Sequence, residues 1–344
     1  MIPIQNIYYM LSYAFQVLNE QGYKDVATEQ FSNVAELCAA ILSKGFSIQL
    51  KRGLNREYIE QTDALSAIRG RIEIGESLKT NSMLKKQLIC SYDEFSVNSY
   101  MNRIVKTTME LLLRSDISKV RKKELRKVLV FLGEVEPLDI YHINWGVKYN
   151  RNNQSYRMLI SICYLVVKGL LQTQKDGSMR LMDFLDEQRM CRLYEKFILE
   201  YYRKEHPEIK ANASQIPWQL DDGFDEMLPV LQTDIMLTCQ EKVLIIDAKY
   251  YAETTQQRFD ARTVHSGNLN QIFTYVKNKE AELSGKNHEV SGMLLYARTD
   301  EEVVPNHEYR MSGNRIAVRT LDLSGDFVSI RHQLDEIAER YLGI

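Results

Sequence analysis

Proline and glycine are scarce, at 6 and 16 of 344 residues, which excludes a collagen-like chain and argues against extended disorder. Neither sign of charge prevails. Forty-four Lys and Arg stand against 46 Asp and Glu, for a net charge of −2. Bulk charge therefore does not mark a chain that must find nucleic acid unaided, although a local patch or a partner can supply a basic surface. Cysteines number 5 and histidines 6, with no C-x-x-C and no pair at zinc-ligand spacing. Cys38, Cys90, Cys163, Cys191 and Cys239 lie scattered in apolar segments, as free thiols of a reducing compartment do. Long hydrophobic runs are missing too. The longest, Met158 to Val167, is too short to span a bilayer. The opening MIPIQNIYYML has no basic n-region and no cleavage site of a signal peptide. No G-x-x-x-x-G-K-[ST] loop is present, so the chain carries no P-loop NTPase, and no Gly-x-Ser-x-Gly stands beside a candidate triad. A cytoplasmic protein with no membrane partner is expected.

What is present suggests about two domains at ~150 residues each. Ile7, Met10, Leu11, Ala14 and Leu18 recur at helical spacing and predict an amphipathic opening helix. A second helix is expected from Asn33 to Ser43. Between Phe46 and Ser96, short alternating runs (SIQL, SAIRGRIEI, QLICSYDEF) read as strands of a small barrel or sheet, with a helical stretch near Gly75 to Met83. From Val97 to Leu171 the pattern is strongly helical. Six of the nine residues from Lys119 to Lys127 are basic, which reads as a solvated helix face rather than a phosphate patch, since Glu124 interrupts it and no aromatics are interleaved. Gln172 to Ser178 is the candidate linker. A helix over Gln188 to Arg203 then leads into LPVLQTDIMLTC, KVLIIDAKYY, a helix over Gly267 to Asn278, VSGMLLYA, RIAVRTLDL and a helix over Val328 to Tyr341. Strands with flanking helices predict an α/β domain with a mixed sheet. Trp145 and Trp218 read as packing residues, and His265 as a loop histidine that caps a helix.

The chemistry concentrates between Thr233 and Tyr251. Two apolar runs flank Gln240 and Glu241, so the simplest structure is an antiparallel hairpin. If Cys239 faces Lys242, counting back along both strands sets Asp234 opposite Asp247, on one face and with Cβ atoms about 4.5–5.5 Å apart. Lys249, two residues on, shares that face. Two adjacent carboxylates repel unless a cation lies between them, and hard oxygens suit Mg²⁺. A lysine beside them can orient a water or stabilise charge on a phosphate. About one D-x-K is expected by chance in a chain of this length, so the tripeptide alone equally fits a solvent-facing salt bridge on an edge strand. The upstream aspartate in matching register, and the apolar strand between, weigh toward a site. Downstream, Gln271 and Tyr275 form an i, i+4 pair beside the stripe Leu269, Ile272, Phe273 and Val276. The pair could brace the lysine or bond a phosphate, or could be an ordinary surface pair.

Asp234, then Asp247-Ala248-Lys249, then Gln271 and Tyr275 resembles the PD-(D/E)xK nuclease superfamily, in the variant with a Q-x-x-x-Y helix found in RecB-like nucleases. The N-terminal decapeptide Ile2-Pro3-Ile4-Gln5-Asn6-Ile7-Tyr8-Tyr9-Met10-Leu11 is similar to that of the McrC family, the nuclease subunits of McrBC-type modification-dependent restriction systems. Arg52-Gly53-Leu54, Arg69-Gly70-Arg71-Ile72, Asn102-Arg103-Ile104-Val105-Lys106, Leu193-Tyr194-Glu195-Lys196-Phe197 and Ile246 to Tyr251 resemble it too. This resemblance covers nearly the whole chain. It implies an N-terminal domain (1–175), a small β-sheet or barrel plus helices, that docks onto an McrB-like AAA+ GTPase hexamer and stimulates it. It also implies a C-terminal endonuclease domain (176–344) with a PD-(D/E)xK sheet flanked by helices. Asp234 and Asp247 would bind Mg²⁺, with the Ala248 carbonyl and Glu195 as further ligands. Lys249 would position the attacking water, and Gln271 and Tyr275 would support the site. The partner would recognise modified double-stranded DNA. Arg56, Arg69 and Arg71 are docking candidates, or equally exposed hairpin charges. The remaining readings are a non-catalytic adaptor of an AAA+ motor and a stand-alone repair nuclease.

Overall fold

The structure is a computed structural model that describes residues 2–19, 23, 26, 29–175, 187–250, 255–258, 261–298 and 304–344. It divides into two compact units. One gathers the described residues of Met1–Glu20, Ala27–Ser32 and Asp183–Ile344; the other gathers those of Gln21–Val26 and Asn33–Met182. Among the described residues no helix is long and apolar enough to cross a membrane.

The opening helix α1 (Ile4–Ala14) therefore belongs with the C-terminal unit, where the sequence reading places it in a 1–175 domain. Its side chains explain why. Buried Asn6 donates to the carbonyls of Leu323 and Gly325 at 2.8 and 2.7 Å. Tyr9 stacks on Phe327 at 4.5 Å, and the Tyr13 hydroxyl donates to Glu205 at 2.8 Å. The apolar stripe read as helical finds its partner nearly two hundred residues downstream.

The other unit is mixed. Helix α2 (Val34–Arg52) starts at Asn33, whose side chain accepts from the Glu36 N–H, and runs past the expected end through SIQL, so that segment is helix, not strand. Leu37, Ile41 and Phe46 bury on it at helical spacing. A three-stranded antiparallel sheet follows, ordered β1 (Glu57–Leu65), β3 (Leu88–Ser96), β2 (Arg71–Ile72). It is an open sheet, not a barrel. SAIRGRIEI contributes only β2, because its charges leave no apolar face to bury, while EYIEQTDAL forms the longer strand by pairing with β3. Gly70 has φ +67°, and a Cβ there would lie 2.3 Å from the Ser91 carbonyl, so the tight crossing over β3 needs glycine. Helix α3 (Ile74–Lys79) and a 3₁₀ turn over Ser82–Lys85 replace the single helix expected there.

Helices α4 (Tyr100–Arg114), α5 (Lys119–Leu129) and α6 (Tyr156–Lys175) close this unit. The expected run of helix is broken between α5 and α6 by a 3₁₀ turn at Val130–Leu132 and an irregular stretch. Buried Asn102 holds the join: its amide donates to the Asn55 and Val97 carbonyls, and its oxygen accepts from the Tyr156 hydroxyl. The basic helix α5 buries only Leu125 and Val128, so its charged face is solvated as expected. Of the candidate linker, Gln172 to Lys175 continue α6 and the rest lies outside the described residues. Trp145 meets Tyr164 edge to face at 5.0 Å.

In the first unit, helix α7 (Glu187–Glu205) precedes strands β4 (Lys210–Asn212), β5 (Gln215–Ile216), β6 (Leu231–Gln232), β7 (Ile235–Cys239) and β8 (Lys242–Lys249). LPVLQTDIMLTC is thus two short strands broken at Thr233 and Asp234. A hairpin, β9 (Thr255–Arg258) and β10 (Ala261–Val264), leads to helix α8 (Ser266–Glu282). Strands β11 (Glu289–Ala297), β12 (His307–Met311) and β13 (Asn314–Leu321) and helix α9 (Phe327–Leu342) follow. The central sheet has six strands in the order β12-β13-β11-β8-β7-β4, with β13, β11 and β8 parallel and the other neighbours antiparallel. The expected mixed sheet with flanking helices is borne out; β4 and β12 are additions, too short or too polar to be legible.

One face of this sheet packs on α8 through Val243, Ile245, Val290, Leu294, Ile316 and Val318 against Ile272, Tyr275 and Val276. Gly292 sits under the helix, where a Cβ would come within 2.7 Å of Val276 and 2.9 Å of Ile272. Those are buried, branched side chains with little room to move, so Gly292→Ala should destabilise the unit by about 1–3 kcal/mol in denaturant melts. On the edge, burial works against the Glu308 carboxylate, but hydrogen bonds from Tyr341 and Arg315 outweigh it and hold its pKa at about 2. A carboxylate with a depressed folded-state pKa stabilises above its unfolded value and loses that contribution as pH falls. Glu308→Gln should therefore cost ~1 kcal/mol at neutral pH, the partial exposure reducing the effect. The difference from wild type should vanish as urea melts are taken from about pH 5 down to about pH 2.

Candidate active site

The β7–β8 hairpin has the register expected from the sequence: Cys239 pairs with Lys242 and Ile235 with Ile246. The two-residue turn is made by Gln240 at φ +53° and Glu241. Asp234 lies one residue before β7, where the ladder ends. Its carboxylate accepts from the Ala248 N–H at 3.0 Å. A paired strand residue turns its N–H and C=O to the same neighbour. Ala248 therefore also points its carbonyl to the edge that β7 leaves, where Cys191 Sγ approaches at 3.7 Å.

Asp247 is 1% exposed in the middle of an apolar strand, and its Oδ2 lies 2.8 Å from Lys249 Nζ. Beyond that ion pair, neither carboxylate oxygen has a well-formed hydrogen bond among the described residues. Burial raises the Asp247 pKa, and the charge of Asp234 adds to it; together they outweigh the pull of Lys249. Such a carboxylate is poorly matched to its surroundings as it stands and would gain from a further cation.

Lys249 is oriented from the other side. Gln271 Oε1 accepts from its Nζ at 3.4 Å, Gln271 Nε2 donates to the Tyr275 hydroxyl at 2.8 Å, and that hydroxyl donates to the Gln232 carbonyl at 2.9 Å. One turn of α8 thus ties the lysine to the strand next to Asp234. Tyr275 is buried, which raises its pKa and keeps it a donor.

Glu195 comes from α7. Burial first, and then the negative charge of Asp234, raise its pKa, which places it within electrostatic reach of the pair. Its Oε1 accepts from the Cys191 thiol at 3.1 Å. All five site side chains named from the sequence therefore converge at the end of β8, with Glu195 alongside. Cys191 is the residue that sequence reasoning missed. Its signal was the i, i+4 spacing to Glu195, which only the fold makes meaningful. Burial, and then the hydrogen bond to Glu195, push its thiol up to about 12.

The donor set suits a hard cation that keeps part of its water. Asp234, Asp247 and the Ala248 carbonyl are all oxygen donors, and Mg²⁺ is commonly held by one or two carboxylates with waters and substrate phosphate completing the shell. No cluster of three or more His, Cys, Asp or Glu side chains closes into a self-contained cage among the described residues. Glu195 is therefore near the pair rather than drawn into it. The docking candidates lie elsewhere and have partners of their own: Arg71 pairs with Glu73 at 2.6 Å, Arg69 lies 4.0 Å over the Tyr92 ring, and Arg56 6.0 Å over Phe95. His265 is the N-cap of α8 through its backbone, its carbonyl accepting from Asn268 and Leu269, with no side-chain cap bond. Trp218 packs on the α8 face of the sheet, its indole N–H on the Pro229 carbonyl.

Residues 5–297 match the family model described as the McrBC 5-methylcytosine restriction system component. The chain belongs to this family. The matched span includes every residue of the cluster and stops before α9. The type IV methyl-directed restriction enzyme EcoKMcrBC of Escherichia coli K12 is 29% identical over 348 residues, covering 99% of this chain and 98% of the relative. Two solved structures from Thermococcus gammatolerans are similar. One is a half-complex of McrB AAA+ hexamers with bound McrC, at 17% identity and a TM-score of 0.49, covering 97% of this chain and 76% of that one. The other is the McrBC complex, at 12% identity and 0.40, covering 99% and 70%. The chain is thus a component of an McrBC-type restriction system, as the N-terminal decapeptide and the ordered motifs led one to expect.

The electrostatics of the cluster can be checked directly. In carboxyl-detected NMR titrations of the metal-free protein, Asp234→Asn should lower the Asp247 pKa and Lys249→Met should raise it. A raised folded-state pKa means the folded chain holds that proton more tightly than the unfolded one. Metal-free stability should therefore fall as pH rises from about 4 toward the raised value, and Asp247→Asn should flatten that slope.

Proposed function

We propose that this chain is the Mg²⁺-dependent endonuclease subunit of its restriction system, hydrolysing phosphodiester bonds of modified double-stranded DNA in the cytoplasm. The observation that carries the reading is the buried, under-bonded Asp247 carboxylate beside Asp234, with Lys249 braced by Gln271 and Tyr275. A structural salt bridge on a sheet edge needs neither the second aspartate nor a two-residue brace running back to β6.

When bound, Mg²⁺ supplies a Lewis acid for the scissile phosphate and acidifies a water. Asp234, Asp247 and the Ala248 carbonyl are the atoms that would hold it. The Lys249 ammonium, ion-paired with Asp247 at 2.8 Å, can donate a hydrogen bond to the attacking water or to a phosphate oxygen. Gln271 fixes where that ammonium points, and Tyr275 fixes Gln271. Lys249 is 13% exposed and Asp247 1%, so solvent reaches the ammonium at the end of β8 while the Asp247 carboxylate stays in the core.

The absence of a P-loop and the balanced charge fit a subunit to which a nucleotide-hydrolysing partner delivers DNA. By analogy with the McrB AAA+ hexamers that carry bound McrC in the archaeal structure, that partner is an AAA+ GTPase. The three-stranded sheet around Arg56, Arg69 and Arg71 is a docking face for it within this reading.

The test combines the chain with its AAA+ partner, GTP, Mg²⁺ and methylated or unmethylated plasmid. Wild type should make double-strand cuts in the methylated plasmid only with all components present. Asp247→Asn and Lys249→Ala should lose cleavage by about 10²–10³-fold while still stimulating GTP turnover. Cleavage by Asp247→Asn at the wild-type rate would overturn the assignment. Stimulated GTP turnover with no cutting by any form would favour the adaptor reading, and cutting by the chain alone the stand-alone nuclease.

A further inference from the structure

Of the five cysteines, Cys38, Cys90, Cys163 and Cys239 are buried core thiols, and Cys191 is only half-buried. Packing accounts for the four and leaves Cys191 unexplained. It lies on α7 one turn before Glu195, so the two side chains share a helix face. Its sulfur stands 3.1 Å from Glu195 Oε1 and 3.7 Å from the Ala248 carbonyl. Those oxygens come from different elements, a helix side chain and a strand backbone; the N–H of the same Ala248 donates to the Asp234 carboxylate at 3.0 Å, and the charge of Asp234 is felt at Glu195.

We propose that Cys191 is a positioning residue of the metal site, its thiol holding the Glu195 carboxylate against the Ala248 carbonyl so that both oxygens face the cation held by Asp234 and Asp247. This rests on the nuclease reading given above. The physical case is one of geometry and proton count. A thiol has a single proton and a weak acceptor sulfur. It can therefore donate to only one of the two oxygens at a time and leaves lone pairs on both free to bind a cation. A stronger fixed donor such as lysine would neutralise Glu195 instead of lending it. Without the thiol, the half-buried Glu195 side chain has further rotamers open to it, and each metal-binding event must order it anew. Outer groups that orient ligands in this way commonly govern metal affinity by about an order of magnitude or more.

The test reads metal binding rather than cleavage. Thermal melts of the full chain are recorded across a Mg²⁺ series, the stabilisation reporting the dissociation constant, for wild type, Cys191→Ala, Cys191→Ser and Asp247→Asn. Cys191→Ala should raise the Mg²⁺ midpoint roughly 10-fold with its metal-free melting temperature close to wild type. Cys191→Ser, which keeps a donor of similar size, should recover most of the affinity. The proposal is overturned if Cys191→Ala responds to Mg²⁺ as wild type does. It is equally overturned if both Cys191 variants melt lower without metal and keep the wild-type midpoint, which marks a purely structural thiol. Both of those outcomes leave the nuclease reading standing, because Asp247→Asn still abolishes the response. If wild type shows no response to Mg²⁺ and Asp247→Asn matches it, the nuclease reading falls and this proposal falls with it.

Discussion

A carboxylate buried at the centre of an Ile/Leu/Val strand is the constraint around which the C-terminal unit is arranged. Asp247 is flanked by Ile246 and Ala248 on an interior strand, paired with Leu294 of β11 and one residue past the end of the β7 ladder. It therefore cannot turn to solvent without breaking the sheet. Its charge must be answered locally, and Lys249, two residues on and on the same face, is the nearest group that can do so. Burial first, and then the charge of Asp234, raise the Asp247 pKa against the pull of Lys249, so one ammonium does not satisfy the cluster. Proteins keep such an imbalance where chemistry uses it.

The rest of the unit is fitted to that point. Helix α8 lies on the sheet through a glycine that lets it approach, and the same approach delivers Gln271 and Tyr275 to Lys249 and Gln232. Helix α7 covers the opposite side and brings Cys191 and Glu195 to the end of β8. Helix α1 in turn packs on α7, with Tyr13 bonded to Glu205 and set against Phe197, and with the Lys196 ammonium over Phe15. The N-terminal decapeptide characteristic of the family is thus part of the scaffold behind the site. Asn6, the polar residue in its apolar stripe, is spent on the loop that precedes α9.

Several motifs that resemble the family turn out to be fold determinants. Gly70 permits the crossing over β3, and Asn102 satisfies three backbone and side-chain groups at the join of β1, β3 and α6. Sequence similarity therefore marks both the proposed site and places where the backbone has no alternative, and only the geometry separates Lys249 from Asn102.

The hairpin is legible along the chain. Two apolar runs around a two-residue turn favour the register that buries both, and that register sets Asp234 against Asp247. The free thiols, the solvated face of α5 and the succession of β7, β8, α8, β11, β13 and α9 are legible in the same way, since each follows from local periodicity or composition, whereas β9, β10 and β12 are not. That α1 serves the C-terminal unit emerges from packing alone, because a stripe of apolar residues states that a partner exists and not which one. The same holds for SIQL, which is helix since α2 continues into it, and for EYIEQTDAL, a polar strand stabilised by its neighbour rather than by its own pattern. Cys191 belongs to this second group. Its chemistry depends on a carbonyl 57 positions away, and no spacing rule along the chain can register a contact that exists only once the sheet and α7 have met.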